Sequence, residues 1–116
     1  MKELVIGVAS QQDIRKRAQA IARGEHRPRP GEPKIWFASM RSLAEVLSDE
    51  NRALLRVMRE QKPESLSRLA ELTGRAPGNL SRTLRTMEHY GIVEMRKTER
   101  NVRPIAKVSE FVIRAA

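Results

Sequence analysis

The stretch that decides the fold is Ser65-Leu-Ser-Arg-Leu-Ala-Glu-Leu-Thr-Gly74, followed after Arg75-Ala-Pro-Gly78 by Asn79-Leu-Ser-Arg-Thr-Leu-Arg-Thr-Met-Glu-His-Tyr-Gly-Ile-Val93. Its first part predicts a helix over residues 66–73, because a capping serine precedes it and a glycine follows it. Its second part predicts a helix over residues 77–90, because proline suits the first helical position and apolar residues recur at helical spacing. These apolar residues, which we expect in the core, are Leu80, Leu84 and Met87.

A basic hairpin is expected directly after the two helices. Residues 92–97 and 103–108 are β-like, and the polar segment between them suits a hairpin tip. From residue 75 to residue 107 there are eight basic and three acidic residues, a net charge of +5. The whole chain has a net charge of +9, so more than half of the excess lies in this region. Such an excess suits a polyanionic partner.

The outward side of the second helix is the predicted binding surface. No acidic residue occurs between residues 75 and 87, and the first is Glu88. Guanidinium, amide and hydroxyl groups can bind base edges and phosphates, and an acid-free helix N-terminus can direct its N–H groups at a phosphate. The predicted DNA-binding residues are Arg75, Gly78, Asn79, Ser81, Arg82, Arg85 and Thr86 on the helix, and Arg96, Lys97, Arg100 and Arg103 on the hairpin.

The pattern Leu-Ala-x-x-Thr-Gly, then Leu-Ser-Arg-x-Leu-x-x-Met-Glu-x-x-Gly-Ile-Val, resembles the winged helix-turn-helix of MarR- and ArsR-type transcriptional regulators. The resemblance covers about residues 35–108. It implies a homodimer, a recognition helix over residues 77–89 in the major groove, and a wing on the minor groove or the backbone. The whole chain is similar to a family of small prokaryotic DNA-binding regulators, some of which look like the antitoxin of a toxin–antitoxin pair. MarR-type proteins dimerise through long terminal helices. This chain has only a short N-terminal strand and helix in their place.

The N-terminal third predicts a separate arm. Residues 4–8 favour a strand and residues 11–23 a helix, with Ser10 as its cap. The following segment, residues 25–33, holds three prolines and predicts a linker. We therefore expect an α+β chain, mainly α, with two parts: an arm and linker over residues 1–33, and a winged helix-turn-helix domain over residues 34–116.

Further elements are expected in the second part. Residues 34–39 favour a strand and residues 42–47 a short helix. Ser48 predicts the cap of another helix, which Pro63 closes. The tail, residues 110–116, fits neither helix nor strand clearly.

The arm has an expected role in association. Residues 4–8 are apolar on both faces and too short for a stable sheet of their own. We therefore expect residues 1–24 to form the interface of a homodimer or the site for a protein partner. The alternative is that the arm packs onto its own winged helix. Arg27 and Arg29 in the linker could also enter a narrow minor groove.

Composition excludes most chemistry. The chain has no cysteine, two histidines without metal-ligand spacing, and no glycine-rich phosphate loop. We expect no enzyme activity, no cofactor and no metal. No apolar run is long enough for a membrane span or the core of a signal peptide, so we expect a cytoplasmic protein without a membrane partner.

Three functions remain open at this point. The first is a sequence-specific regulator of double-stranded DNA, expected to be a repressor. The second is an antitoxin that binds a toxin protein through its arm and regulates its own operon. The third is an RNA-binding protein, which the low aromatic content of 3% disfavours, because single-strand recognition relies on exposed rings.

Overall fold

The computed structural model describes residues 2–115, which form two compact units. We call residues 46–109 with Lys2 the helical unit, and residues 3–45 with 110–115 the sheet unit. The elements in chain order are β1 (Lys2–Val8), α1 (Gln11–Ala22), β2 (Ile35–Phe37), α2 (Met40–Val46), α3 (Asp49–Gln61), α4 (Leu66–Thr73), α5 (Pro77–His89), β3 (Val93–Lys97), β4 (Val102–Ala106) and β5 (Val108–Ala115). Helices and two small sheets together make the fold α+β.

The helical unit is built on packing between neighbouring elements. Helix α3 packs against α4 and β4, while α5 packs against α4 and β3. Strands β3 and β4 form an antiparallel hairpin from Val93↔Ala106 to Lys97↔Val102. The buried apolar side chains of this unit include Leu54, Leu55, Met58, Leu69, Leu80, Leu84, Met87, Ile92, Val93 and Val108. The predicted core stripe of α5 is therefore confirmed.

Local capping chemistry sets the helix ends in this unit. The hydroxyls of Ser48 and Ser65 each accept a backbone N–H bond of 3.1 Å, as their positions before α3 and α4 predict. Gly74 ends α4 in the left-handed region, at φ +72°, which costs glycine little. Helix α3 ends at Gln61, two residues before Pro63, and its cap Lys62 also has a positive φ.

The sheet unit has β1 at its centre, in the order β2-β1-β5. Strand β2 runs parallel to β1, with Ile6↔Ile35 and Val8↔Phe37 as register partners. Helix α1 connects the two strands, and its predicted cap is confirmed by the bond of 3.1 Å from the Asp13 N–H to Ser10 Oγ. Ile6, Val8 and Phe37 are buried, whereas Leu4 and Val5 at the start of β1 are half-buried.

The N-terminal part of the chain differs from the separate arm and linker that were expected. The units do not divide the chain between residues 33 and 34, because the Lys34 N–H donates to the Val5 carbonyl at 3.1 Å and continues the β1–β2 pairing. The predicted linker is also tied to α1, through a 2.8 Å ion pair of Glu32 with Arg17. The arm strand does not lack partners, because β2 and the tail strand β5, which the sequence left open, pair with it.

A glycine in β1 makes room for the chain's single tryptophan. Gly7 is the register partner of Trp36 on β2. A Cβ at Gly7 would lie 2.8 Å from Trp36 Cδ2 and closer still to Cε3 and Cζ3. The Arg17 guanidinium lies over the same ring, 5.2 Å from its centroid, an arrangement that favours cation–π attraction. The tryptophan is half-buried.

We expect Gly7→Ala to lower the free energy of unfolding of the sheet unit by about 1–3 kcal/mol, because the new methyl group displaces the Trp36 ring. Urea denaturation followed by far-ultraviolet circular dichroism, which can be read in proteins with and without the tryptophan, measures the change. The same substitution in a Trp36→Leu background is the control, and there it should cost much less. An equal cost in both backgrounds would show that the ring does not set the requirement for glycine.

Candidate nucleic-acid interface

The turn between α4 and α5 leaves the N-terminus of α5 without a side-chain cap. Thr73 Oγ1 donates to the Leu69 carbonyl at 2.9 Å and accepts from the Arg75 N–H at 3.3 Å, which fixes the start of the turn. Ala76 is the cap residue of α5, Pro77 is its first residue, and its first turn carries no acid. A helix start of this kind presents unpaired N–H groups and the positive end of the helix dipole. It can therefore receive an anion.

The side of α5 opposite its core stripe is the surface that sequence reasoning selected. Leu80, Leu84 and Met87 are each at most 1% exposed, which places the remaining side chains outward. Five of the exposed residues form what we call the outer face of α5, namely Gly78, Asn79, Arg82, Arg85 and Thr86, while Pro77, Glu88 and His89 at the helix ends are exposed as well. Ser81 is half-buried and so lies at the margin of this face. The outer face carries two arginines and no carboxylate.

Arg75 is placed differently from the other predicted residues, because its guanidinium is held by the helical unit itself. Its Nη2 donates to Asn79 Oδ1 at 2.7 Å and to Thr83 Oγ1 at 3.0 Å. Its Nη1 donates to Asn51 Oδ1 at 3.0 Å, on α3. The half-buried Arg75 therefore ties α3 to the first turns of α5 and orients the Asn79 amide.

The sequence did not predict roles for Asn51 and Thr83, which accept hydrogen bonds from Arg75. Asn51 lies 24 residues before Arg75 along the chain. Its backbone N–H donates to the hydroxyl of Ser48, the cap residue of α3. Thr83 lies on α5, two turns after Arg75, and is half-buried. The threonine could have been found as a polar residue between the core stripe and the outer face, whereas no local pattern marks the asparagine.

The hairpin carries its basic residues on an ordered tip. The Thr98 N–H donates to the Asn101 carbonyl at 2.8 Å, and Thr98 Oγ1 accepts from the Asn101 N–H at 3.1 Å. Lys97 and Arg100 are exposed at this tip. An open cleft lies between the tip and the start of α4, lined by Ser65, Leu66, Ser67 and residues 97–102.

Two arginines face each other across the hairpin. Arg96 and Arg103 are direct register partners in the β3–β4 ladder. Arg96 Nε donates to Glu94 Oε2 at 2.8 Å, and this bond, with the nearby positive charges of Arg96 and Lys107, lowers the pKa of the Glu94 carboxyl. Like charges directly opposite each other destabilise a strand pair. Within residues 2–115 the guanidinium groups of Arg96 and Arg103 have only the Glu94 carboxylate beside them, so an excess of positive charge remains here.

The described residues hold no other site of obvious chemistry. Within residues 2–115 no three histidine, cysteine, aspartate or glutamate side chains come together as metal ligands. In the same range no helix has the length and apolar character needed to cross a bilayer.

Comparison with known proteins places the chain in a family. No match was found among curated proteins or among solved structures. A family model described as HVO_A0114 matches residues 46–113. The match begins where the helical unit begins and continues into β5. Because it spans more than half of the 116 residues, the chain belongs to the HVO_A0114 family.

Proposed function

We propose that the helical unit is a winged helix-turn-helix that binds double-stranded DNA in a sequence-specific manner and represses transcription. In this proposal α4 and α5 are the helix-turn-helix, and α5 is the recognition helix in the major groove. The β3–β4 hairpin is the wing, which contacts the backbone or the minor groove. The order of three packed helices followed by an antiparallel hairpin supports this assignment.

The observation that carries the proposal is the exposed, acid-free outer face of α5. An ordinary solvated helix mixes charges, as the exposed ion pair of Arg52 with Asp49 on α3 illustrates. The outer face instead offers Arg82, Arg85 and the Asn79 amide without an acidic neighbour from residue 75 to residue 87. Arginine binds guanine and asparagine binds adenine through paired hydrogen bonds in the major groove.

The wing supports backbone contact rather than base reading. Arg96 and Arg103 lie opposite each other with a single carboxylate beside them, and a phosphate between them would offset their repulsion. Lys97 and Arg100 at the tip add exposed positive charge. Contacts of this kind position a protein on DNA and make its affinity depend on salt.

Gly78→Ala tests the proposal, because it should change stability and DNA affinity in opposite directions. A Cβ at Gly78 would meet nothing within 4 Å, and this glycine has no positive φ. Alanine should therefore raise the free energy of unfolding by up to about 1 kcal/mol through its higher helix propensity. The same methyl group would project from the first turn of α5, where the uncapped helix N-terminus would meet a phosphate of the bound DNA, so DNA affinity should fall.

Thermal melts and fluorescence anisotropy with promoter duplex measure both effects on one sample. The melt also serves as the control for folding, since a loss of affinity in a stabilised protein cannot come from unfolding. A stabilised Gly78→Ala protein that binds DNA with unchanged affinity would contradict the placement of the α5 N-terminus against the backbone.

A further inference from the structure

Strand β5 leaves one long edge of the sheet unit open. Among the described residues β5 pairs with β1 on one side and has no strand on the other. It spans eight residues, whereas β2 at the opposite edge spans three. A long edge strand with unpaired N–H and C=O groups is a template for pairing with another chain.

The exposed side chains of this edge favour a partner. Ile113 is 45% exposed, and Phe111 and Val112 beside it are half-buried. These three apolar residues lie between Glu110 and Arg114, both exposed. The edge therefore has an apolar centre with one acidic and one basic end, whereas most open edges are protected by charges or proline.

We propose that the β5 edge, residues 110–114, is a homodimer interface at which two copies of this chain pair antiparallel across Val112. In this register Glu110 of each copy lies opposite Arg114 of the other, and Phe111 lies opposite Ile113. Both are favourable cross-strand pairs. The segment Glu-Phe-Val-Ile-Arg is thus complementary to itself when reversed. The exchange is symmetric, as a two-fold interface requires.

A neighbouring acid on β1 provides an independent argument. The pKa of the Glu3 carboxyl is raised, chiefly by a hydrogen bond with Glu110, with smaller contributions from desolvation and from the charge of that neighbour. Arg114 of the same chain acts on Glu3 in the opposite direction. One chain therefore holds two carboxylates together at this end of the edge. A second copy would bring another guanidinium to Glu110, where it offsets the repulsion.

This interface differs from the one that the sequence suggested. Residues 4–8 cannot pair with a second copy, because β1 is already paired on both sides. A single strand pair is small compared with the roughly 1,200–2,000 Å² of stable interfaces, so we expect a weak dimer that depends on protein concentration. The inference does not rest on the proposed DNA binding, because self-association is measured without DNA.

Charge reversal at the two ends of the edge tests the inference. Analytical ultracentrifugation of the full chain measures the dissociation constant of the homodimer, at protein concentrations from about 1 μM to about 500 μM, a range that spans weak self-association. Arg114→Glu places Glu110 opposite a glutamate, and Glu110→Arg places Arg114 opposite an arginine. Each single variant should raise the dissociation constant about tenfold or more. An equimolar mixture of the two variants should form a heterodimer, because both cross-strand pairs are then of opposite charge. The double variant Glu110→Arg/Arg114→Glu should regain the homodimer.

Two results would overturn the inference. One is a wild-type chain that stays monomeric over the whole concentration range. The other is a dimer whose dissociation constant is the same in both single variants as in the wild type. Circular dichroism of each variant checks that the charge changes leave the fold intact, and recovery of association in the mixture excludes misfolding as the cause of a loss.

Discussion

Replacing Arg82 and Arg85 together with alanine should remove most sequence-specific DNA binding. Both side chains are exposed on the outer face of α5 and lie one helical turn apart. A side chain that binds a base contributes about 1–3 kcal/mol, so the double variant should bind its specific duplex about 10²- to 10⁴-fold more weakly. Fluorescence anisotropy with duplexes from the protein's own promoter, at two salt concentrations, measures this change.

The chain offers a matched control on another helix. Arg56 and Arg59 on α3 have the same spacing, so Arg56→Ala/Arg59→Ala removes the same charge without touching α5. This control should weaken binding slightly and equally for all sequences. Lys97→Ala on the wing should also act equally on all sequences and should reduce the salt slope by about one unit. Wild-type affinity in the Arg82/Arg85 variant would contradict the assignment of α5 as the recognition helix.

Leu84→Ala should cause a large loss of stability in the helical unit. Leu84 is fully buried on α5, which packs against α4 and β3. Truncating a buried leucine to alanine costs about 2–5 kcal/mol through lost burial and a residual cavity. This is a large share of the about 5–15 kcal/mol that stabilises a typical domain. Urea denaturation followed by far-ultraviolet circular dichroism, which reports on the helices, measures the change.

Ser81→Ala is the control for this prediction. Ser81 lies on the same helix but is only half-buried, and substitutions at such positions usually change stability by less than about 1 kcal/mol. A larger loss for Ser81→Ala than for Leu84→Ala would mean that α5 presents a different side to the core.

The helical unit could be predicted closely because its signals are local. Ser65 and Gly74 bound α4 through a side-chain cap and a left-handed residue, and both effects depend on residue type and position alone. The spacing of Leu80, Leu84 and Met87 fixed which side of α5 is buried. The outer face follows from the same spacing, since the residues left over must point away from the core.

The sheet unit could not be predicted in the same way because its pairing is not local. Strand β5 follows β1 by about a hundred residues in a chain of 116 yet lies beside it, and no turn residue or periodicity reports such a contact. Residues 25–33 predicted a linker from their prolines, while the Glu32 ion pair with Arg17 depends on the folded backbone. The Arg75 contact with Asn51 escaped prediction for the same reason, since it joins two helices.

Selection of binding sites from a random library of duplex DNA tests the central claim most directly. If α5 is a recognition helix, the wild-type protein should enrich one sequence motif, and the Arg82→Ala/Arg85→Ala variant should enrich none while it keeps weak, salt-sensitive binding. A wild-type protein that binds duplexes without enriching any motif, or a double variant that enriches the same motif as the wild type, would contradict the account.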